Sequence, residues 1–307
     1  MSSARKGYLF AVSAYLCWGF LPLYWKLLRP MGALEILAHR LLWSCLIMLV
    51  VISIARGWRR IADIVRQPRK LALITLAAVL IAVNWGAYIW GVNTDRVVET
   101  SLGYFINPLV TVLLGVLVLG ERLRSAQWVA IGVGAVAVAV LTVDYGHVPY
   151  LALVLAASFG LYGLVKKSLG VRATDGLLIE AGVLAVPALV FVSFLGARGD
   201  ATFGHVSPVH TVLVVAAGAV TVIPLLFFAG AANRVPLSAI GLLQYLAPIL
   251  QLIIGVLIFH EPMPAGRLVG FALVWLALGV FTWDGIRHAR SHSHRTMRAA
   301  QPAPAGN

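Results

Sequence analysis

A set of positions in this 307-residue chain recurs 140 residues later with no gap. Asn93 maps to Asn233, Pro108 to Pro248, Gly115-Val116-Leu117 to Gly255-Val256-Leu257, Glu121 to Glu261 and Asp144 to Asp284. Such a period means two copies of one structural unit, and any fold assigned to the chain must respect it. The most distinctive stretch of the unit is Glu99–Glu121, ETSLGYFINPLVTVLLGVLVLGE. It is an apolar run broken near its middle by Asn107-Pro108 and closed by Gly120-Glu121.

The solvent of that unit follows from composition. Hydrophobic residues make up 61% of the chain and charged residues only 11%, against about 25% charged in soluble domains. Too little polar surface exists to cover a water-soluble globule, so most of the surface must face lipid. The net charge of +13 does not define a nucleic-acid binder, because the positive residues cluster at the ends of apolar runs and form no stripe. Cys17 and Cys45 both fall inside apolar runs and read as small core residues, with neither a disulfide framework nor paired-cysteine zinc spacing. Arg5-Lys6 precedes an apolar run too long for a cleavable signal, which reads as a retained first helix.

Ten runs are long enough to cross a bilayer core about 30 Å thick: about 8–28, 35–55, 71–92, 97–119, 126–143, 148–166, 176–196, 210–231, 237–259 and 265–285. Lipid cannot satisfy backbone groups, and these runs lack the alternation of a barrel, so they are helices. With the N-terminus inside, 18 of the 24 Lys and Arg fall in inner segments and 5 in outer ones, with Arg40 inside a run. That split places both ends in the cytoplasm. Five helices per copy is an odd number, so the second copy enters from the opposite side. The expected fold is all-α integral membrane: ten transmembrane helices as two inverted five-helix repeats, 1–145 and 146–286, followed by a disordered cytoplasmic tail, 287–307.

Depth selects the candidate functional residues. Pro108 and Pro248 sit at the centres of helices four and nine by residue count, where a proline frees a carbonyl one turn back. Freed backbone at mid-membrane needs protein or a cavity to satisfy it, and inverted-repeat carriers place their substrate site there. Tyr104, Asn107, Gln244 and Tyr245 are the polar neighbours and are read as cavity-lining, against interhelical packing as the alternative. Asn84, Trp85, Tyr15 and Trp18 also lie near mid-depth, where an interfacial aromatic belt is no explanation; they read either as lipid-facing bulk or as the wall of a cavity for an organic ligand. Ionisable residues within the runs each need a partner. His39 and Arg40 lie near the outer end of helix two and Glu99 in the first outer turn of helix four, so Arg40–Glu99 is the expected gate or clamp. Glu180, near the inner end of helix seven, is too far in depth for Arg40; Lys166 or Lys167 suits it better. Glu180 and His39 are the candidates for proton coupling. Glu121 and Glu261 read as loop-ordering acceptors of backbone N–H bonds. Gly266 and Gly270 have small-xxx-small spacing, which permits a homodimer without establishing one. His288, His292 and His294 read as part of a solvated tail, and no metal site or cofactor is expected.

These residues carry a resemblance. NWGAYIWGVNTDRVVE followed by ETSLGYFINPLVTVLLGVLVLGERL, with AYLCWGFLPLYWKLL, EILAHRLLWS, LIE at Leu178–Glu180 and the stretch from Leu237 through Gln244-Tyr245 to Pro248, resembles RarD-type permeases. Those belong to the EamA branch of the drug/metabolite transporter superfamily. The resemblance covers nearly the whole chain and implies ten helices in two halves, cytoplasmic termini and an inner-membrane permease; members have been linked to chloramphenicol sensitivity. The second copy departs where Ala247 replaces Asn107 and His260 replaces Gly120.

The expected activity is secondary transport of a small organic metabolite or drug-like molecule by alternating access, not enzymatic catalysis. No phosphate-binding loop, GxSxG or HExxH occurs, and no nucleotide-binding domain supplies energy. A membrane enzyme acting on a lipid-linked substrate would need acids or histidines clustered at one interface. A channel or non-transporting scaffold gives no reason for inverted duplication.

Overall fold

The computed structural model describes residues 3–120, 123–232, 234–235, 240 and 243–299; Glu121, Asn233 and Leu237 lie outside the described residues. Among the described residues the structure is all helix and contains no strand. The helices are α1 Ser3–Leu27, α2 Ala33–Ile54, α3 Trp58–Val65, α4 Pro68–Asn93, α5 Val97–Leu119, α6 Ser125–Tyr145, α7 Tyr150–Leu169, α8 Ala173–Arg198 and α9 Pro208–Ala232. They are followed by α10 Leu246–Ile253, which continues as a π-helical segment Ile254–Ile258, and by α11 Ala265–Ala299. Nine of them are long and apolar enough to cross a membrane, and Leu246–Ile258 is a shorter apolar helix.

Three differences from the sequence-based expectation have physical causes. The basic loop 56–70 contains α3, because Ile61 and Ile64 lie one turn apart on one face and bury against Met48, Ile52 and Ile74. The chain turns into it at Arg56, held at φ 49. Secondly, Pro248 is not at a helix centre. It is the third residue of α10, where an amide would have no partner within α10. Its ring still denies Gln244 the i+4 bond, and the chain turns at Gln244-Tyr245. Thirdly, the stretch expected to be a disordered tail from 287 is helical to Ala299; no glycine or proline intervenes between Gly285 and Pro302 to stop it. The side chains of 288–299, the three tail histidines included, lie outside the described residues.

By internal contact the chain divides into two compact units, neither of which is one sequence repeat. One comprises 1–114 and 149–263, the other 115–148 and 264–307. Each therefore takes helices from both halves of the sequence.

In the larger unit α2 packs on α8 and α9, α4 on α7, and α1 on α9 and α10. Without water to drive helices together, association in lipid depends on close backbone approach at small residues. Gly218 brings α9 onto Trp43 of α2, and Gly103 brings α5 onto Ala152 of α7. Trp25, Leu28, Met31, Ile36, Ile89 and Leu155 fill the resulting core. The outward faces are apolar as well: Leu76, Val79 and Val83 on α4, and Val186, Leu189 and Val190 on α8, are exposed. Stripes of that kind need lipid to cover them.

Carboxylates close the helix ends of this unit. Glu261, in the turn after the π-helical segment, accepts the Val97 and Val98 amides at 2.6 and 2.7 Å and so caps α5. Burial pushes its carboxyl above the usual carboxylate range, against the pull of those two amides. Glu35 accepts the amides of Thr202 and Phe203 and the Thr202 hydroxyl. Asp95 is held below its usual range by hydrogen bonds from Lys26 and Arg29. His260 adopts φ 54, as its repeat partner Gly120 adopts φ 66, so that departure from the repeat changes the residue and keeps the backbone.

The smaller unit is built on the antiparallel pair α6 and α11. Gly270 lies against Leu141, and Gly266 against Asp144. The small-xxx-small face is thus used within the chain, which removes the sequence ground for a homodimer. Ion pairs bolt both ends: Arg267 to Asp144 at 3.1 Å and Arg124 to Asp284 at 2.5 Å. Asp144 and Asp284 are the repeat partners of one another.

Two substitutions test this packing. A Cβ on Gly218 would lie 2.6 Å from the Trp43 carbonyl carbon, so Gly218→Ala is expected to cost about 1–3 kcal/mol and to lower the thermal unfolding midpoint in detergent. Glu261→Gln replaces one acceptor oxygen by a donor facing an amide; a loss of about 1–3 kcal/mol is expected in the same assay.

Candidate functional site

A cavity of about 390 Å³ lies inside the larger unit. Residues from α1, α2, α4, α5, α7, α8, α9 and α10, together with Gln244, line it. Most of the lining follows helical spacing. Ile81, Asn84, Trp85 and Tyr88 are one stripe of α4; Tyr104 and Asn107 are one turn apart on α5; Gln244, Pro248 and Gln251 run in register across the start of α10.

The aromatic walls are connected. Tyr15 meets Trp18 edge-on at 5.4 Å between ring centroids, and Trp18 meets Phe228 at 5.8 Å. On the other side Tyr88, Tyr104 and Phe159 form a chain of edge contacts at 5.6 and 6.3 Å. Asn84 is buried and serves as a polar anchor. Its amide nitrogen donates to the Leu155 carbonyl at 2.9 Å and to the Ser158 hydroxyl at 3.1 Å, and its oxygen accepts from the Tyr104 hydroxyl at 3.2 Å. Gln251 donates to the Trp18 carbonyl at 3.1 Å, fixing α10 to α1.

Of the sequence candidates, Tyr15, Trp18, Asn84, Trp85, Tyr104, Asn107, Gln244 and Pro248 line this cavity, and so does Arg40, which had been placed with the gate. Tyr245, Pro108, His39, Glu99 and Glu180 are not in its lining. Tyr245 is the residue before α10 begins. His39 stacks on Phe203 at 4.5 Å.

The expected Arg40–Glu99 pair does not form. Glu99 is bridged by Arg96 at 2.5 Å and accepts the Leu151 amide at 3.2 Å, capping α7. Arg40 instead donates from Nε to the Thr221 hydroxyl at 2.8 Å, with its guanidinium 3.9 Å from the centroid of a Trp85 ring. A one-turn pair, Arg96–Glu99, was visible in the spacing and needs no long-range contact. Glu180 does take Lys166, at 2.5 Å, and also the Tyr162 hydroxyl at 3.2 Å.

Tyr88, Gln251, Tyr162, Lys166 and Thr174 complete the polar lining. The sequence carried a signal for the first two: Tyr88 lies four residues from Asn84, and Gln251 three from Pro248. Arg60 reaches Asp175 at 3.0 Å near the α3 end, and that hydrogen bond raises its guanidinium pKa further.

The fold and the cavity define a class: a multi-pass helical membrane protein with a partly open cavity walled by aromatic and aliphatic side chains. The EamA-like transporter family model matches residues 5–143. The protein RarD of Streptomyces exfoliatus is 54% identical over 97% of this chain and 94% of its own length, and that of Escherichia coli is 40% identical over 94% and 98%. An uncharacterized transporter of Vibrio cholerae is 41% identical over 96% and 97%. A crystal structure with 20% identity superposes with a TM-score of 0.57 over 93% of this chain and 98% of that one, which bears on the fold alone. The chain belongs to the RarD-type branch of the EamA-like transporter family: it is a membrane transporter.

The Lys166–Glu180 pair yields a further test. Glu180→Gln strands an ammonium beside the cavity and is expected to cost on the order of 3 kcal/mol; adding Lys166→Met should recover most of it, read as thermal unfolding midpoints of the single and double variants.

Proposed function

We propose that this chain is a secondary carrier that takes one small organic molecule at a time into the cavity and exposes it to each side of the membrane in turn. The observation that carries the reading is the cavity itself. It is lined by residues from both sequence copies, Tyr104 and Asn107 from the first and Gln244 and Pro248 from the second. The carbonyls that Pro108 and Pro248 leave without an i+4 amide belong to Tyr104 and Gln244, both cavity residues. Interrupted helices meeting at a chamber are how inverted-repeat carriers build a site.

On this reading residues 1–145 and 146–286 are two five-helix copies of opposite insertion, with both ends in the cytoplasm. The Lys/Arg asymmetry supports that orientation, and α3 with its arginines is a cytoplasmic surface helix. Tyr15, Trp18, Asn84, Trp85, Tyr104, Asn107 and Gln244 make the substrate site. Energy comes from a gradient or an exchanged solute. One relative, from Pseudomonas aeruginosa and 28% identical, carries the name chloramphenicol-sensitive protein RarD, which agrees with a drug-sized solute.

The experiment places a cysteine at Gln244 in a Cys17→Ser/Cys45→Ser background and applies a neutral, membrane-impermeant thiol reagent to either face of reconstituted vesicles. A carrier is expected to be labelled from both faces while the vesicles retain a small trapped marker solute. Labelling accompanied by leak of the marker indicates a channel, and a cysteine inert from both faces overturns the reading.

A further inference from the structure

One cavity residue is a buried cation without a counter-charge. The Arg40 side chain is 4% exposed, and no carboxylate pairs with it among the described residues. Its Nε is held by Thr221, whose own hydroxyl donates to the Ala217 carbonyl at 2.8 Å. The guanidinium lies between aromatic rings, 3.9 Å from Trp85 and 5.2 Å from Trp25. Cation–π contact offsets part of the desolvation of a guanidinium but leaves its outward N–H groups unmet. Nη1 is buried and has no hydrogen-bond partner.

Among the described residues, the cavity lining contains no Asp or Glu. The other cation in it, Lys166, already has Glu180. One uncompensated positive charge therefore remains. Two more polar atoms of lining residues, the Tyr88 hydroxyl and Gln251 Oε1, are also buried without partners. A buried charge is held only where something pairs with it. Among the described residues no carboxylate does.

We infer that Arg40 receives the negative charge of the transported molecule, so that the substrate is a small organic monoanion, a carboxylate on a planar apolar body. This rests on the reading of the cavity as the transport site. The chemistry matches each part of the chamber. A guanidinium fork meets a carboxylate through two parallel N–H···O bonds. The flat body lies among Trp18, Trp85, Tyr104 and Phe159. Tyr88 and Gln251 are left to hydrogen-bond its polar substituents. A cationic solute would face Arg40 with like charge, and a neutral one would leave the guanidinium uncompensated.

The test uses the full chain with the cysteine at Gln244 in the background without Cys17 and Cys45. Modification rates are compared for a sulfonate-bearing and a trimethylammonium-bearing methanethiosulfonate, each normalised to a free thiol. The negative reagent is expected to be favoured, and Arg40→Gln to lower that preference roughly tenfold, with Arg40→Lys retaining most of it as the folding control. Indole-3-acetate is expected to slow labelling in the parent and not in Arg40→Gln, while tryptamine leaves the rate unchanged. Labelling with a charge preference that ignores Arg40 overturns the inference and leaves the cavity reading standing. So does protection by tryptamine equal to that by indole-3-acetate, or by neither probe. Absence of labelling by both reagents overturns the cavity reading itself.

Discussion

A bilayer offers a polar group no hydrogen bond, and the buried carboxylates of this protein are arranged around that fact. Helices satisfy their own interiors but leave four amides and four carbonyls open at each pair of ends. Here the open amides are met by carboxylates reaching from other segments: Glu261 on α5, Glu99 on α7, Glu35 on the turn before α9. Each acid is mostly buried, yet each is satisfied by backbone or by a neighbouring cation. The scarce acids are thus largely spent on helix ends and on ion pairs, and among the described residues the cavity walls carry none.

The apolar side of the same constraint shapes the packing. Leucine and valine gain nothing by leaving lipid for a helix interface, so contact comes from glycines that let backbones meet, as at Gly218 and Gly103. The larger side chains can then be turned in either direction. Four of the aromatic residues, Tyr15, Trp18, Tyr88 and Tyr104, are turned inward and form part of the cavity wall.

Much of this was legible in the sequence, because run length reports helices and polar residues within a run report an interior. The runs read as helices one to eight and ten are all helices of the structure, and the four mid-depth aromatic and amide positions Tyr15, Trp18, Asn84 and Trp85 all face one cavity. Run length says nothing of azimuth, however. Arg40 and Glu99 shared a depth and were matched on that alone, whereas rotation about their helices sends Arg40 to Thr221 and Trp85 and leaves Glu99 to its own neighbour Arg96. The amphipathic α3 escaped notice because its apolar face is only two residues, too few to stand out inside a basic loop. Residue count puts Pro248 in the middle of a single apolar run, but the chain turns within that run at Gln244-Tyr245, a polar interruption too short to mark a break.

The cap that Glu261 places on α5 has a mechanical side. The carboxylate belongs to the turn that ends the Leu246–Ile258 helix, and both its oxygens are committed to amides of the first turn of another helix. Gly255, a few residues earlier, lies 3.0 Å from Val98 at the position of a missing Cβ, so the two helix ends are also in backbone contact. Neither end can slide or unwind alone without leaving the Val97 and Val98 amides unpaired. The two helices that bear the repeated prolines are therefore tied like a crank and its rod: displacement of one is handed to the other at this joint.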